Sequence, residues 1–208
     1  MFLKVLSFVR EYGLFHSLSI VISLLRGRLL FPNSRLIRFP FHVRGRSRVE
    51  VGKGFTTGRN CKLEIYLGKN SLNKKIIVIG KNFQMNDSCR IVGSNSIVIG
   101  DNVLVAGKVF ITDLSHGVYG HNDMHDSPFN DPKARELFTK PVVIEDNVWI
   151  GEGVSILPGS TIRTGSIVGS NSVVSGEIPA GCIATGIPAR VLKRYNPDSR
   201  VWEKVKKT

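Results

Sequence analysis

Val142-Val-Ile144-Glu-Asp-Asn-Val148-Trp149-Ile150-Gly-Glu-Gly-Val154-Ser-Ile156-Leu-Pro-Gly-Ser160-Thr-Ile162-Arg-Thr-Gly-Ser166-Ile-Val168-Gly-Ser-Asn-Ser172-Val-Val174 counts in sixes. Ile144, Ile150, Ile156, Ile162, Val168 and Val174 hold one place in the hexad, and Val148, Val154, Ser160, Ser166 and Ser172 stand two residues ahead of the last five. Side chains two apart on an extended chain point the same way, so both members of each pair are expected to face inward. Between them lie Gly151-Glu152-Gly153, Pro158-Gly159 and Gly169-Ser170-Asn171, residues that turn a chain. Each hexad therefore reads as one short strand and one corner.

A unit of six residues cannot bury its own apolar side, so such units stack and share a core. Full burial of the six aliphatics is worth roughly 9 to 18 kcal/mol gross, and backbone ordering offsets most of it. The ladder must then be long. Val51-Gly52, Ile79-Gly80, Met85, Ile91, Ile99-Gly100, Val105 and Ile111 keep the same step upstream, with insertions around Gly68 to Lys75 and near Asn95. After Ile111 the count fails. Val118 to Lys140 carry His121, Asp123, His125, Asp126, Pro128 and Pro132 with no six-residue frame, and the ladder resumes at Val142. Long loops inside compact domains are usually functional. The expected organisation is a helical, basic segment over 1–45, a β-helical domain over 46–190 with the loop 118–140 extruded from it, and a basic tail over 191–208.

The 208 residues suit one domain. Cys61, Cys89 and Cys182 are odd in number and scattered, which gives neither a disulfide framework nor a metal spacing, and reducing, cytosolic conditions fit them. No cleavable signal pattern is expected in the apolar N-terminal stretch. The formal charge of +13 divides as +12 over residues 1–75, −4 over 76–189 and +5 over 190–208. Nucleic acid is the generic partner of such a balance, but no helix-turn-helix, stacking aromatic motif or zinc finger accompanies it, and no nucleic-acid partner is expected. A membrane surface fits better. Phe2 to Leu14 and Ser17 to Leu25 suggest one or two helical segments, broken at Gly13 and at Arg26-Gly27-Arg28 and too short to span a bilayer. They could lie on the inner membrane, with Arg26, Arg28, Arg35, Arg38, Arg44, Arg46 and Arg48 toward anionic headgroups. The alternative is a helix capping the open end of the coil with its apolar side.

In the frame set by Ile99, Val105 and Ile111, His116 falls just ahead of an inward place, as Trp149 falls just ahead of Ile150. Both should point outward. A hydroxyl is a weak nucleophile at neutral pH, and an imidazole group, with an unperturbed pKa of about 6.5, suits removal of its proton. A lone histidine is as easily a satisfied surface residue. Asp113, His116, His121, Asp123 and His125 match no tetrahedral ligand spacing, and no metal is expected. Asn86, after the inward Met85, should also point outward, or else serve as a corner asparagine in the left-handed conformation.

Pro141 to Gly151, Ile156-Leu-Pro-Gly159, Ile167 to Val174, Glu177-Ile-Pro179 and Gly186-Ile-Pro-Ala-Arg190 resemble the hexapeptide-repeat acyltransferases, in the branch of galactoside and maltose acetyltransferases. Tyr12-Gly-Leu14, Ile37-Arg-Phe-Pro40 and Gly52-Lys-Gly-Phe-Thr56 are similar to O-acetyltransferases of O-antigen and capsule clusters. The resemblance implies an all-β, left-handed parallel β-helix with three hexads per coil, and a homotrimer with its sites between chains. It implies acetyl-CoA as co-substrate, a sugar hydroxyl of a surface polysaccharide or its precursor as acceptor, and direct attack on the thioester with His116 as general base. Asn86 would bind the acceptor, with Asp87 and Asp113 beside it. Ala106, Gly107, Trp149, Gly151 and Ser170 would line the coenzyme, with Arg190, Lys193 and Arg194 near its 3′-phosphate. Two departures stand out: Leu114 occupies a place where many relatives carry a second histidine, and Ser175-Gly176 replaces a frequent Thr-Lys. The enzyme is expected in the cytoplasm, or at the cytoplasmic face of the inner membrane. The rival functions are acetylation of a free small sugar, an antibiotic or a nucleotide amino sugar, and a non-catalytic scaffold.

Overall fold

The computed structural model describes Arg10 and residues 13–66, 75–121 and 124–205. Residues 1–9, most of the insertion near Gly68 and Asp123 lie outside them.

The chain is a left-handed parallel β-helix with three faces. The first face stacks Ser34–Ile37, Phe55–Thr57, Gln84–Met85, Leu104–Val105, Trp149–Ile150, Ile167–Val168 and Cys182–Gly186. The second stacks Phe41–Arg44, Cys61–Ile65, Arg90–Gly93, Phe110–Thr112, Ser155–Ile156 and Val173–Val174. The third stacks Val49–Val51, Ile77–Ile79, Ile97–Ile99, Val142–Ile144, Thr161–Ile162 and Glu177–Ile178. Every inward place of the 142–174 repeat, serines included, is buried. The coil begins at Ser34, earlier than the expected residue 46, because its first turn uses Phe41 and Ile37 instead of the Ile-Gly markers of later hexads.

The interior narrows along the axis. Ahead of the first face, successive coils place Phe55, Phe83, Val103, Val148, Ser166 and Cys182 inward. Phe55 stacks on Phe83 with centroids 5.8 Å apart, and Phe31 meets Phe55 edge-on at 6.0 Å. At the lean end one coil carries Ser160, Ser166 and Ser172 at its three corners. Their hydroxyls donate to the carbonyls of Leu157 (2.7 Å), Pro179 (2.7 Å) and Gly169 (2.6 Å), which removes the cost of burying them.

Both ends depart from expectation. The helix Leu14–Leu30 runs through Gly27 without a break. A Cβ on Gly27 would sit 3.1 Å from Ile37 Cβ, so the glycine permits close packing on the first strand. The side turned to the coil buries Ser17, Ser23 and Gly27 and packs Leu30 on the core, while the larger apolar stripe of the helix faces away from it. The C-terminal segment is no loose tail: Ala189–Asn196 pairs antiparallel with Cys182–Gly186, and Val201–Lys204 pairs antiparallel with it in turn. Tyr195 meets Trp202 edge-on at 5.4 Å.

Candidate active site

The extruded loop leaves at the edge between the second and third faces, and Asp113 is the pin on which it turns. Its side chain is fully buried, with Oδ1 accepting from Ser94 N (2.8 Å) and Oδ2 from Asn95 N (2.8 Å) and Ser96 N (2.7 Å). Burial pushes its carboxyl above the ordinary aspartate range, against those three donors. Its carbonyl accepts from Lys140 N at 2.9 Å and so ties the loop's exit to its entry. Both carboxylate oxygens are committed to the scaffold, and the expected substrate role for Asp113 gives way to an anchoring one.

Beyond the pin the loop is an antiparallel stalk. Leu114, Ser115 and His116 pair with Thr139, Phe138 and Leu137. His116 shares its side of the stalk with Leu114, Leu137 and Thr139 by strand alternation. The residue that replaces a second histidine is thus on the same side. The imidazole is exposed as expected and makes no hydrogen bond among the described residues. Its backbone is held firmly. Tyr119 Oη donates to His116 O at 2.8 Å and accepts from Arg135 Nη1 at 2.6 Å, while Arg135 Nη2 reaches the carbonyl of Asn130 at 2.8 Å. Asp126 Oδ2 accepts from Val118 N at 2.7 Å. Gly117 has φ +94°, and a Cβ there would lie 2.7 Å from Tyr119 Oη, so only glycine fits after His116. Tyr119, Arg135, Asp126 and Gly117 are the residues that the sequence reading missed. A glycine directly after the exposed histidine was the available signal. His125 pairs with Tyr119 in the outer hairpin, whereas the side chain of His121 lies outside the described residues.

Most of the remaining expected site residues gather on a different edge, between the first and second faces. Asn86 N donates to Val105 O, Ala106 N to Ile150 O and Gly151 N to Val168 O, at 2.8 to 2.9 Å, which stacks Asn86, Ala106, Gly151 and Gly169 in one column. The column is nearly free of side chains. A Cβ on Gly151 would lie 2.6 Å from Ser170 N and 2.9 Å from its Oγ, and one on Gly107 would lie 3.3 Å from Asp87 O. Beneath the column, the thiols of Cys61 and Cys89 donate to the carbonyls of Asn86 and Ala106, each at 3.0 Å. The thiol contact with Cys61, together with burial, pushes Cys89 upward, toward an inert buried thiol. Asn86 is exposed and is not in the left-handed conformation, which falls on Ser88 instead. Asp87 is exposed, but its Oδ1 accepts from Arg59 N at 2.7 Å. Asp101 and Asp146 each accept an N–H from the corner of a neighbouring coil in the same way, so one oxygen of Asp87 does corner work.

Trp149 stands beside this column, half exposed, in an outward row with Leu104, Ile167 and Ile183. The row ends on Lys193, which pairs with Ile183. Arg190, Lys193 and Arg194 lie on the antiparallel hairpin beyond the last coil, and Arg190 Nη1 reaches Ala189 O at 3.1 Å. Within one chain His116 and the Asn86–Gly151 column therefore occupy different edges of the prism. A small-residue column flanked by an exposed indole fits the thin arm of a coenzyme held by backbone groups.

Residues 141–176 match the family described as bacterial transferase hexapeptide (six repeats). Over 200 residues the chain is 38% identical to the putative lipopolysaccharide biosynthesis O-acetyl transferase WbbJ of Escherichia coli, covering 96% of this chain and 99% of that one. It is 36% identical over 143 residues to the galactoside O-acetyltransferase of the same organism, covering 68% of this chain and 64% of that one. Among solved structures, a maltose O-acetyltransferase from Clostridium difficile is similar at 30% identity, with a TM-score of 0.54 over 76% of this chain and 70% of that one. AntD, an N-acyltransferase from Bacillus cereus crystallised with dTDP and 3-hydroxybutyryl-CoA, shares the fold at 17% identity, with a TM-score of 0.65 over 84% and 90% of the two chains.

Proposed function

We propose, for a chain that belongs to the hexapeptide-repeat family of bacterial transferases, that it acetylates a sugar hydroxyl of a surface polysaccharide or its precursor in the cytoplasm. Acetyl-CoA supplies the activated acetyl thioester. His116 removes the proton from the acceptor hydroxyl as its oxygen attacks the acetyl carbonyl, and returns it to the departing sulfur, so no covalent acyl-enzyme forms. Asn86 orients the acceptor. The column of Ala106, Gly107, Gly151 and Ser170, beside Trp149, holds the coenzyme arm, and Arg190, Lys193 and Arg194 meet its phosphates.

The observation that carries this reading is the division of the site between two edges of the prism. His116 stands on a braced stalk at one edge with an exposed imidazole that makes no hydrogen bond among the described residues, and the small-residue column lies at another. A cyclic homotrimer would bring the stalk of one chain against the column of the next, three times over. The resemblance over nearly the whole length to a protein named as a putative lipopolysaccharide biosynthesis O-acetyl transferase supports the acceptor class.

The test is thiol release from acetyl-CoA with candidate sugars present, together with mass spectrometry of surface polysaccharide from a deletion strain. His116→Ala is expected to lower kcat by ~10² to 10⁴. Turnover that this substitution leaves untouched would remove His116 as the base, and an unchanged acetyl pattern in the deletion strain would remove the acceptor class.

A further inference from the structure

The N-terminal helix is inside out. Its fully buried residues on the coil side are Ser17, Ser23 and Gly27, with Ile20, Leu24 and Leu30 half-buried, whereas Leu14, Phe15, Leu18, Ile22, Leu25 and Leu29 form one stripe facing away, with Phe15 89% and Leu29 83% exposed. A helix on a water-facing protein carries the opposite arrangement, and an apolar patch of this kind marks a surface that something covers. Arg28 and Arg26 border the stripe on opposite sides of the helix, and Arg26 lies over the Phe39 ring at 4.3 Å. No described helix is long and apolar enough to cross a membrane.

At the foot of the helix opens a cleft of about 750 Å³ into which Arg28, Arg35, Lys53 and Lys81 converge, with Asn33 and Asn82 between them. Among the described residues no carboxylate lines it. Among the described residues none of these four cations forms an ion pair, although Arg90, Lys108 and Arg163 elsewhere each do. Four cations around one cavity favour a multiply charged oxyanion.

We propose that helix and cleft together form a docking surface for an anionic phospholipid bilayer. The apolar stripe lies in the interface, and a lipid phosphate seats among Arg28, Arg35, Lys53 and Lys81. An amphipathic element alone gives weak, reversible attachment, and a basic cluster beside it supplies the second attraction that makes attachment stable. A second copy of the chain is disfavoured as the occupant, because stripes laid face to face would bring two like-charged clefts together. The proposal goes beyond the acetyltransferase reading and does not depend on it.

The test is flotation of the full-length protein with phosphatidylcholine vesicles, with and without phosphatidylglycerol. The protein is expected to float with the anionic vesicles only, to be released by high salt and to be displaced in part by inorganic pyrophosphate. Arg28→Gln, Arg35→Gln, Lys53→Gln and Lys81→Gln are each expected to weaken partition about five-fold. Leu18→Ser with Leu25→Ser is expected to abolish it, and Lys62→Gln, on another face, to leave it unchanged. Equal flotation with both vesicle types, flotation with neither, or undiminished flotation of the fourfold variant each overturns the proposal. So does a fall in oligomer mass on light scattering when the stripe is substituted, which would show that a second copy covers it. The salt and pyrophosphate measurements need no variant, so a substitution that fails to fold does not stall the test. Turnover of a water-soluble sugar by the fourfold variant is expected to stay at the wild-type level, which keeps a failed flotation distinct from a failed acetyltransferase reading.

Discussion

The edge that carries His116 and the edge that carries Asn86 are built on opposite plans. At the Asn86 edge the six-residue count never fails, each corner bonds to the next, and along the column the side chains are pared to Asn86, Ala106, Gly151 and Gly169. At the His116 edge the count breaks between Asp113 and Lys140, and the chain builds a stalk from pairs that owe nothing to the hexad. A strict period makes a flat surface against which a thin molecule can lie. Interrupting it lifts one reactive side chain off that surface.

The largest effect comes from forcing the two edges into different chains. His116→Ala and Asn86→Ala should each lose most activity when prepared alone. When the two are unfolded and refolded together, about a quarter of the wild-type rate should return, because a site between neighbours is intact only when chains of the two kinds meet in one order. Thiol release measures it, and a mixture as inactive as its parts would place both residues in a single-chain site. Next comes the pin. Asp113→Ala leaves the N–H groups of Ser94, Asn95 and Ser96 without their acceptor, and at ~1 to 3 kcal/mol for each orphaned group the loss should be at least about 3 kcal/mol, read as a fall in Tm.

The same residue gives a pH test. Burial holds the Asp113 carboxyl above its ordinary value, so protonation favours the folded chain. Its contribution is complete below an unfolded pKa of about 3.9 and is lost as pH rises through the raised one. The Tm advantage of wild type over Asp113→Asn should therefore shrink as pH rises from acid to neutral. An advantage that grows would mean that the three donors outweigh burial.

A smaller effect probes the flat edge. Gly151→Ala pushes a methyl group to within 2.6 Å of Ser170 N and should cost ~1 to 3 kcal/mol, with a raised KM for acetyl-CoA. An unchanged KM would remove this column from the coenzyme site. Tyr119→Phe should act least, about 0.5 to 1.5 kcal/mol. Its loss should appear as faster amide exchange over 114–117 with the coils unaffected.

The regular coils were readable from the sequence because periodicity reports directly which side chains go in. Ser160, Ser166 and Ser172 are the clearest case, since spacing put them inward against their polarity and backbone carbonyls of their own corner or of the next coil accept from them. His116 is exposed, as the frame suggested, but for another reason: it stands on an antiparallel stalk that lies outside the frame and not on the outer wall of a coil. Asp113 was misread because its partners lie 17 to 19 residues away, where no local pattern reveals them. The start of the first coil was missed because Ile37 and Phe41 line it without the Ile-Gly pairs that mark later hexads. The facing of the helix was hidden because apolar residues and serines alternate along it, and which side meets the coil is decided by the fit of Gly27 against Ile37.

The reversal at residues 189–204 has a consequence for growth. A parallel ladder ends as it runs, with unpaired N–H and C=O groups shaped to accept another identical strand, and a prism of such ladders could add chain upon chain into a fibre. On the first face the last parallel strand, Cys182–Gly186, is instead met by a strand running the other way, whose outer neighbour Val201–Lys204 carries Glu203 and Lys204. A stack that continues by repeating itself meets a partner of the wrong direction there. Among the described residues the first face alone receives this stop, so removing it by truncation before Ala189 gives the form expected to polymerise.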